Sequence, residues 1–246
     1  MSGNHRHHWL TMHRVRYARP VDQADMLLGG PATAECWRVG RDARLATDGL
    51  PVSASEHWGA FGIYEDRAAA ETVLTSPTAH LPFLEDATEA WHALLLPFSH
   101  RGEVNWRGRV EISAAIRVGK DPGGPLAVLT TAGHDLSIAG AMPRLVEFVR
   151  RTYAIRSHFE GLPGNLRSAL MTPGDACDGT TFTLWQEDAA MLRAAYAGGL
   201  HAETLAQHRE RSMLDRASFT RARVVASRGT WGGCDPVREL VEASRG

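Results

Sequence analysis

The sequence has few cysteines, and the three it has, Cys36, Cys177 and Cys234, stand far apart. An odd number with no C-x-x-C pair excludes a disulfide framework and a zinc-finger spacing. C-x-x-C-H is missing as well, which excludes covalent attachment of a c-type haem. No stretch approaches the roughly eighteen consecutive apolar residues of a membrane-spanning helix. Neither sign of charge dominates: 27 Lys and Arg residues meet 28 Asp and Glu, and the formal net charge is −1. Nothing therefore points to nucleic acid or to an anionic membrane surface as a partner. Met1 to Arg16 is rich in His and Arg and has no apolar stretch, so it does not read as a secretory signal, and a cytoplasmic protein is expected. Several catalytic motifs are absent too. There is no G-x-G-x-x-G at a strand–helix junction, no Walker A loop, no H-E-x-x-H and no G-x-S-x-G, so nicotinamide, nucleotide, zinc-protease and serine-hydrolase chemistry has no local support.

What is present is the composition of an ordinary soluble domain. Hydrophobic residues make up 43% and charged residues 22% of 246, enough for one large domain or two small ones to bury a core. Residues 1–17, with His5, His7, His8 and His13, read as a mobile N-terminal arm leading into a first strand; His-rich ends are more commonly unstructured than metal-binding. Gly29 to Ser55 is rich in Gly, Pro, Ala and Asp and reads as irregular.

The informative feature is an internal repeat. WGAFGIYEDRAAAETVL (Trp58–Leu74) and TTFTLWQEDAAMLRAAY (Thr180–Tyr196) each run from a short apolar strand through an acidic step into an Ala-rich helical pattern. Asp66 and Asp188 fall where a helix N-terminus favours an acidic side chain. The acidic pairs Glu85–Asp86 and Glu187–Asp188 sit at turns or helix starts and read as solvated caps. His92–Phe98, Leu126–Thr131 and Thr220–Arg228 read as strands, another starts at Ala169–Met171, and Pro143–Tyr153 reads as a helix. This order predicts an α+β fold with an antiparallel sheet, built from two ferredoxin-like halves over residues 18–120 and 121–246.

From Gly179 onward the chain carries T-F-T-L-W (Thr181–Trp185), D-A-A-M (Asp188–Met191), a G-L-H step ending at His201, Arg221 in a strand, and G-T-W-G-G (Gly229–Gly233). This succession resembles the C-terminal half of the spheroidene monooxygenases, the carotenoid ketolases of purple bacteria. The likeness runs from about residue 36, and its specific motifs lie in the last seventy residues. The resemblance implies a haem-dependent oxygenase related to the dimeric α+β barrel haem proteins, with His201 as the iron ligand. Two segments depart from the family pattern, Arg41–Gly49 and Ala169–Gly179, and they leave the substrate open.

The residues beside this step suit the carried-over role. Gly198–Gly199 should end one helix, and His201 falls in the first turn of the next, where the positive end of the helix dipole favours a neutral ring. A single neutral imidazole is the usual axial ligand of b-type haem. His208 lies seven residues on, about 10 Å along a helix, so the two cannot bind one ion together. Cys234 is the rival ligand, since thiolate-bound haem also oxygenates substrates, but no longer cysteine-loop pattern surrounds it. Arg221, in the last strand, is the candidate catalytic residue, placed to hydrogen-bond an iron-bound oxygen or a haem propionate; a surface arginine is the plainer reading. Trp185 and Trp231 are candidates to stand against the porphyrin, or else core aromatics.

The expected protein is thus a homodimer with one haem b per chain, inserting oxygen into a small organic or hydrophobic biosynthetic substrate. An external electron donor is required if dioxygen is the oxidant. Two alternatives stay open: haem-dependent nitrogen chemistry such as the dehydration carried out by aldoxime dehydratases, and a haem- or small-molecule-binding protein without catalysis.

Overall fold

The segment WLTMHRVRYARPVD forms a continuous strand, β1 (Trp9–Asp22), because its side chains alternate between two buried environments. A computed structural model of the chain describes residues 7–22, 30–42, 54–102, 116–135, 137–172, 178–197, 201 and 214–244. From Trp9 onward the expectation of a mobile arm is therefore corrected: Leu10 and Met12 point into the core, and Val15 and Tyr17 pack on the opposite face.

The first half continues with β2 (Cys36–Asp42), β3 (Ala54–Tyr64), α1 (Arg67–Thr75), the short helix α2 (Pro77–His80) and β4 (Ala87–Gly102). The second half runs β5 (Leu126–Gly133), α3 (Ala141–Glu160), β6 (Asn165–Thr172), β7 (Asp178–Trp185), α4 (Asp188–Tyr196) and β8 (Arg216–Gly229), and α5 (Arg238–Ala243) follows. β2 corrects a second expectation, since it lies inside the stretch expected to be irregular. CWRVGRD is covered on both faces and shows no polar side, so alternation gives no signal there.

The eight strands close into an antiparallel barrel in the order β1-β3-β2-β6-β7-β5-β8-β4. Each half contributes the same spatial order of its fourth, first, third and second strands (β4-β1-β3-β2 and β8-β5-β7-β6), which is the duplicated ferredoxin-like arrangement. Both halves come from one chain, so closing the barrel needs no second copy. Two seams join the halves. β4 and β8 pair from Trp91↔Gly229 to Gly102↔Ser218, with register shifts after Leu94 and around Pro97, where a bulge tolerates the missing N–H. At the other seam the described pairs of β2 and β6 are Arg41↔Thr172 and Asp42↔Met171.

Three apolar clusters follow from strand alternation. The barrel interior holds Leu10, Met12, Phe61, Ile63, Trp91, Leu95, Phe182 and Leu184. The outer face of the first half packs Trp9, Trp58, Tyr64, Leu81 and Phe83 beneath α1 and α2, with Val73 and Leu74 from α1. The outer face of the second half packs Leu126 and Trp185 against Ala190, Met191, Ala194 and Ala195 of α4. Among the described residues no helix is long and apolar enough to cross a membrane.

Candidate functional site

β7 delivers Trp185 to the outer face of the second half, where it is 1% exposed and its Nε1–H donates to Thr183 Oγ1 at 2.8 Å. Phe159 of α3 stands between Trp185 and His201: its ring centroid is 5.4 Å from the first, edge-on, and 5.5 Å from the second. Trp185 is therefore one ring behind His201. α4 ends at Tyr196, ahead of Gly198–Gly199, and the carbonyl of Ala195 near its end holds His201 Nδ1 at 3.0 Å. A carbonyl can only accept, so Nδ1 carries a hydrogen, and in the neutral ring Nε2 holds the lone pair. That is the donor arrangement an axial iron ligand requires, with the second nitrogen fixing ring orientation.

Arg221 and Arg223, two apart on β8, share this outer face and bracket Phe98, with guanidinium carbons 5.3 and 4.6 Å from its ring centroid. Arg223 is fully engaged, paired with Asp121 at 2.8 Å and with Asp188 at 2.7 Å, and these carboxylates hold its charge against burial. Asp188 lies in the first turn of α4, as expected for an acidic residue, and adds this ion pair there; Asp66 caps α1, accepting from Ala69 N–H at 3.2 Å. Arg221 makes no ion pair within 4 Å among the described residues, although, after the larger effect of Arg223, its charge helps hold the Asp121 carboxyl low. Beside α3 and α4 lies a cavity of about 190 Å³ bordered by Leu162, Ala190 and Ala194. This is below the roughly 300 Å³ at which ordinary ligand pockets begin. His201 does not border this cavity; its donor chemistry would suit an iron ligand, while the cavity would admit only part of a macrocycle. His208 and Cys177 lie outside the described residues.

Trp231 is not on this face, which corrects its grouping with His201 and Trp185. Gly229 ends β8 with φ 89°, where a Cβ would run into the carbonyl of Ala90, and Thr230 N–H then bonds that carbonyl at 2.8 Å. The turn carries Trp231 over the end of the barrel, onto Trp91 at 5.5 Å and Phe182 at 6.3 Å. Cys234 belongs to the same turn, its Sγ 3.3 Å from Arg167, so the rival thiolate is also away from His201.

Near that end of the barrel, beside the β2–β6 seam, lies the larger cavity, about 470 Å³. Strands from both halves line it, with α3 across one side. Arg14 and Asp42, each 5% exposed, form an ion pair at 2.7 Å, and Asp42 also binds Arg156 of α3 at 2.5 Å. Burial lowers the Arg14 pKa while Asp42 partly restores it; for Arg156 the two acids Asp42 and Glu160 outweigh burial and raise it. Burial and the Asp42 charge push the Tyr153 phenol up, so it stays a donor at neutral pH. The sequence gives no sign of this group because its members come from three separate elements, β1, β2 and α3, with no local spacing in common.

Two further histidine clusters lie in the first half. His13 and His92, directly opposite on β1 and β4, meet Nδ1 to Nδ1 at 2.9 Å. Burial and its neighbour push His13 well below the ordinary histidine range, and burial with Arg228 lowers His92 to about 4. His8, Glu35 and Glu65 converge as a metal-like trio. There, however, His8 Nδ1 accepts Arg117 N–H at 3.0 Å, so Nε2 bears the hydrogen, facing Glu35 at 3.4 Å, and Glu65 is held by Arg117 at 2.6 Å. His8 Nδ1 and Glu65 are thus engaged, while the buried His8 Nε2 has no hydrogen-bond partner among the described residues.

No protein-family model matches the chain, and no curated protein matches it. Solved structures do. An anthrone oxidase-like protein matches over 92% of this chain and 95% of its own, at 15% identity and a TM-score of 0.32. A candidate monooxygenase from Fusobacterium nucleatum subsp. nucleatum ATCC 25586 matches over 93% and 97%, at 11% identity and a TM-score of 0.40. An aldoxime dehydratase in complex with butyraldoxime matches over 97% of this chain and 86% of its own, at 10% identity and a TM-score of 0.52, and with it this chain shares a fold.

Proposed function

We propose that the chain is a haem-dependent enzyme of monooxygenase type, with haem b iron held by Nε2 of His201. The observation that carries this reading is the hydrogen bond from His201 Nδ1 to the Ala195 carbonyl at 3.0 Å, which in the neutral ring makes Nε2 the electron-pair donor, with no partner among the described residues. When bound, the haem supplies oxidative chemistry on a small organic substrate, with electrons from an external donor if dioxygen is used. The chain's own residues set the surroundings. Phe159 keeps the imidazole oriented through ring contact, and Trp185 backs Phe159 from the sheet. Arg221, held over Phe98 and in no close ion pair among the described residues, is the donor available to a substrate oxygen or a haem propionate.

A second reading, elimination of water from an aldoxime, is favoured by the fold shared with the aldoxime dehydratase. It needs reduced iron and no stoichiometric oxidant, which separates the two by oxygen consumption. The test of both is the visible spectrum of protein produced with haem supplied. The expected result is a Soret band whose ligand-field features are lost in His201→Ala. No Soret band in the wild type, or an unchanged spectrum in the variant, overturns the assignment. Haem binding without turnover leaves a carrier protein.

A further inference from the structure

The larger cavity at the β2–β6 seam is lined by hydrogen-bond donors that have nothing to donate to. Arg14 Nε, Tyr153 Oη and Asn165 Nδ2 are each buried and lack a partner among the described residues. Ser168 Oγ donates to Asn165 Oδ1 at 3.2 Å, which fixes the amide so that its free end is the NH2 group. Buried donors in folded proteins are almost always satisfied, so three orphans on one cavity call for an acceptor from outside the chain.

Charge points the same way. Arg14, Arg156 and Arg167 line the cavity against Asp42 and Glu160, three guanidiniums to two carboxylates. Both Asp42 oxygens are taken, Oδ2 by Arg14 and Oδ1 by Arg156, and Glu160 binds Arg156 at 2.9 Å. Arg167 has no acid among the described residues: its nitrogens reach Trp231 O at 2.8 and 3.0 Å, Leu166 O at 2.7 Å and Cys234 Sγ. Those neutral partners hold its geometry and leave its charge uncompensated. One wall is the indole of Trp231, over which the Arg14 guanidinium lies at 5.5 Å from the ring centroid.

We propose that this cavity binds a small organic monocarboxylate, its oxygens accepting from Tyr153, Asn165 and Arg14 and its apolar body lying against Trp231. One excess positive charge matches a single negative one. A volume of about 470 Å³ lies within the range of small-molecule sites and holds a compact aromatic acid. The site is independent of haem at His201, which belongs to another face.

The experiment is calorimetric titration of the full chain with benzoate and with benzamide, its neutral isostere, and tryptophan fluorescence as a second readout. Saturable one-site binding of benzoate and none of benzamide is expected. Tyr153→Phe should weaken benzoate about tenfold, the size of one hydrogen bond to a charged group. Asn165→Asp, isosteric and of opposite effect on charge, should abolish binding with the thermal midpoint largely kept. His201→Ala should bind benzoate as the wild type does, whatever the outcome with haem. Equal responses to benzoate and benzamide, no response to either, or an unaltered affinity in both cavity variants overturns the proposal.

Discussion

The two helix-covered faces of the barrel are built on the same strand order and filled differently. Counted from the N-cap residues Asp66 and Glu187, the same two helix positions hold Val73 and Leu74 in α1 but Ala194 and Ala195 in α4. Over the first face these side chains join Trp58, Tyr64 and Phe83 in one dense cluster. Over the second, small residues leave a cavity of about 190 Å³. The histidines differ in the same sense. His13 and His92 are turned on each other, whereas His201 is turned on a backbone carbonyl and keeps a nitrogen free. After duplication of a unit, then, side-chain volume rather than backbone decides which copy has room for a ligand.

The sharpest way to break this comparison is to exchange volume between the faces. Leu74→Ala should destabilise the protein by about 2–5 kcal/mol in urea unfolding, because a full face cannot collapse around the gap. Ala194→Leu should shift stability by about 1 kcal/mol or less, since the neighbouring cavity takes the added carbons. Equal large losses would mean that the second face is as full as the first.

Acid separates the faces next. Burial first, and Arg228 second, lower His92 to about 4, so the folded protein keeps it neutral while the unfolded chain protonates near 6.5. The stabilisation is complete above about pH 6.5 and is lost as the pH falls toward 4, by about 3 kcal/mol for this group. Thermal midpoints across that window should fall steeply in the wild type and less steeply in His92→Gln, which removes the titration. Parallel curves would place the acid sensitivity elsewhere.

The smallest effect concerns the helix starts. Asp66→Ala removes a cap bond to Ala69 N–H and should cost about 1 kcal/mol. Glu187 stands at the corresponding position without a side-chain cap bond, so Glu187→Ala should stay within about 0.5 kcal/mol in the same unfolding measurement.

Much of the frame was legible because local chemistry announces it. The strand–acidic step–helix repeat at Trp58–Leu74 and Thr180–Tyr196 corresponds to β3–α1 and β7–α4, and the duplicated α+β fold follows from it. The first residues of β1 and all of β2 were not legible, because Arg14, His13 and Arg41 look like surface residues until partners arriving from other strands neutralise or cover them. The same reason hid the larger cavity, whose Arg14, Asp42, Arg156 and Asn165 are remote in sequence and meet only when the barrel closes.

His201 shows where the two sources of information divide. The sequence by itself determined its candidacy, through the glycine-ended helix and the motif around it. Only the tertiary structure decided that its Nδ1 meets a carbonyl, that Trp185 stands one ring behind it, and that Trp231 lies at the barrel end instead. Periodicity along a chain specifies which face a residue takes. Which residues share that face depends on strand order and on a turn such as Gly229, and those are properties of the closed barrel.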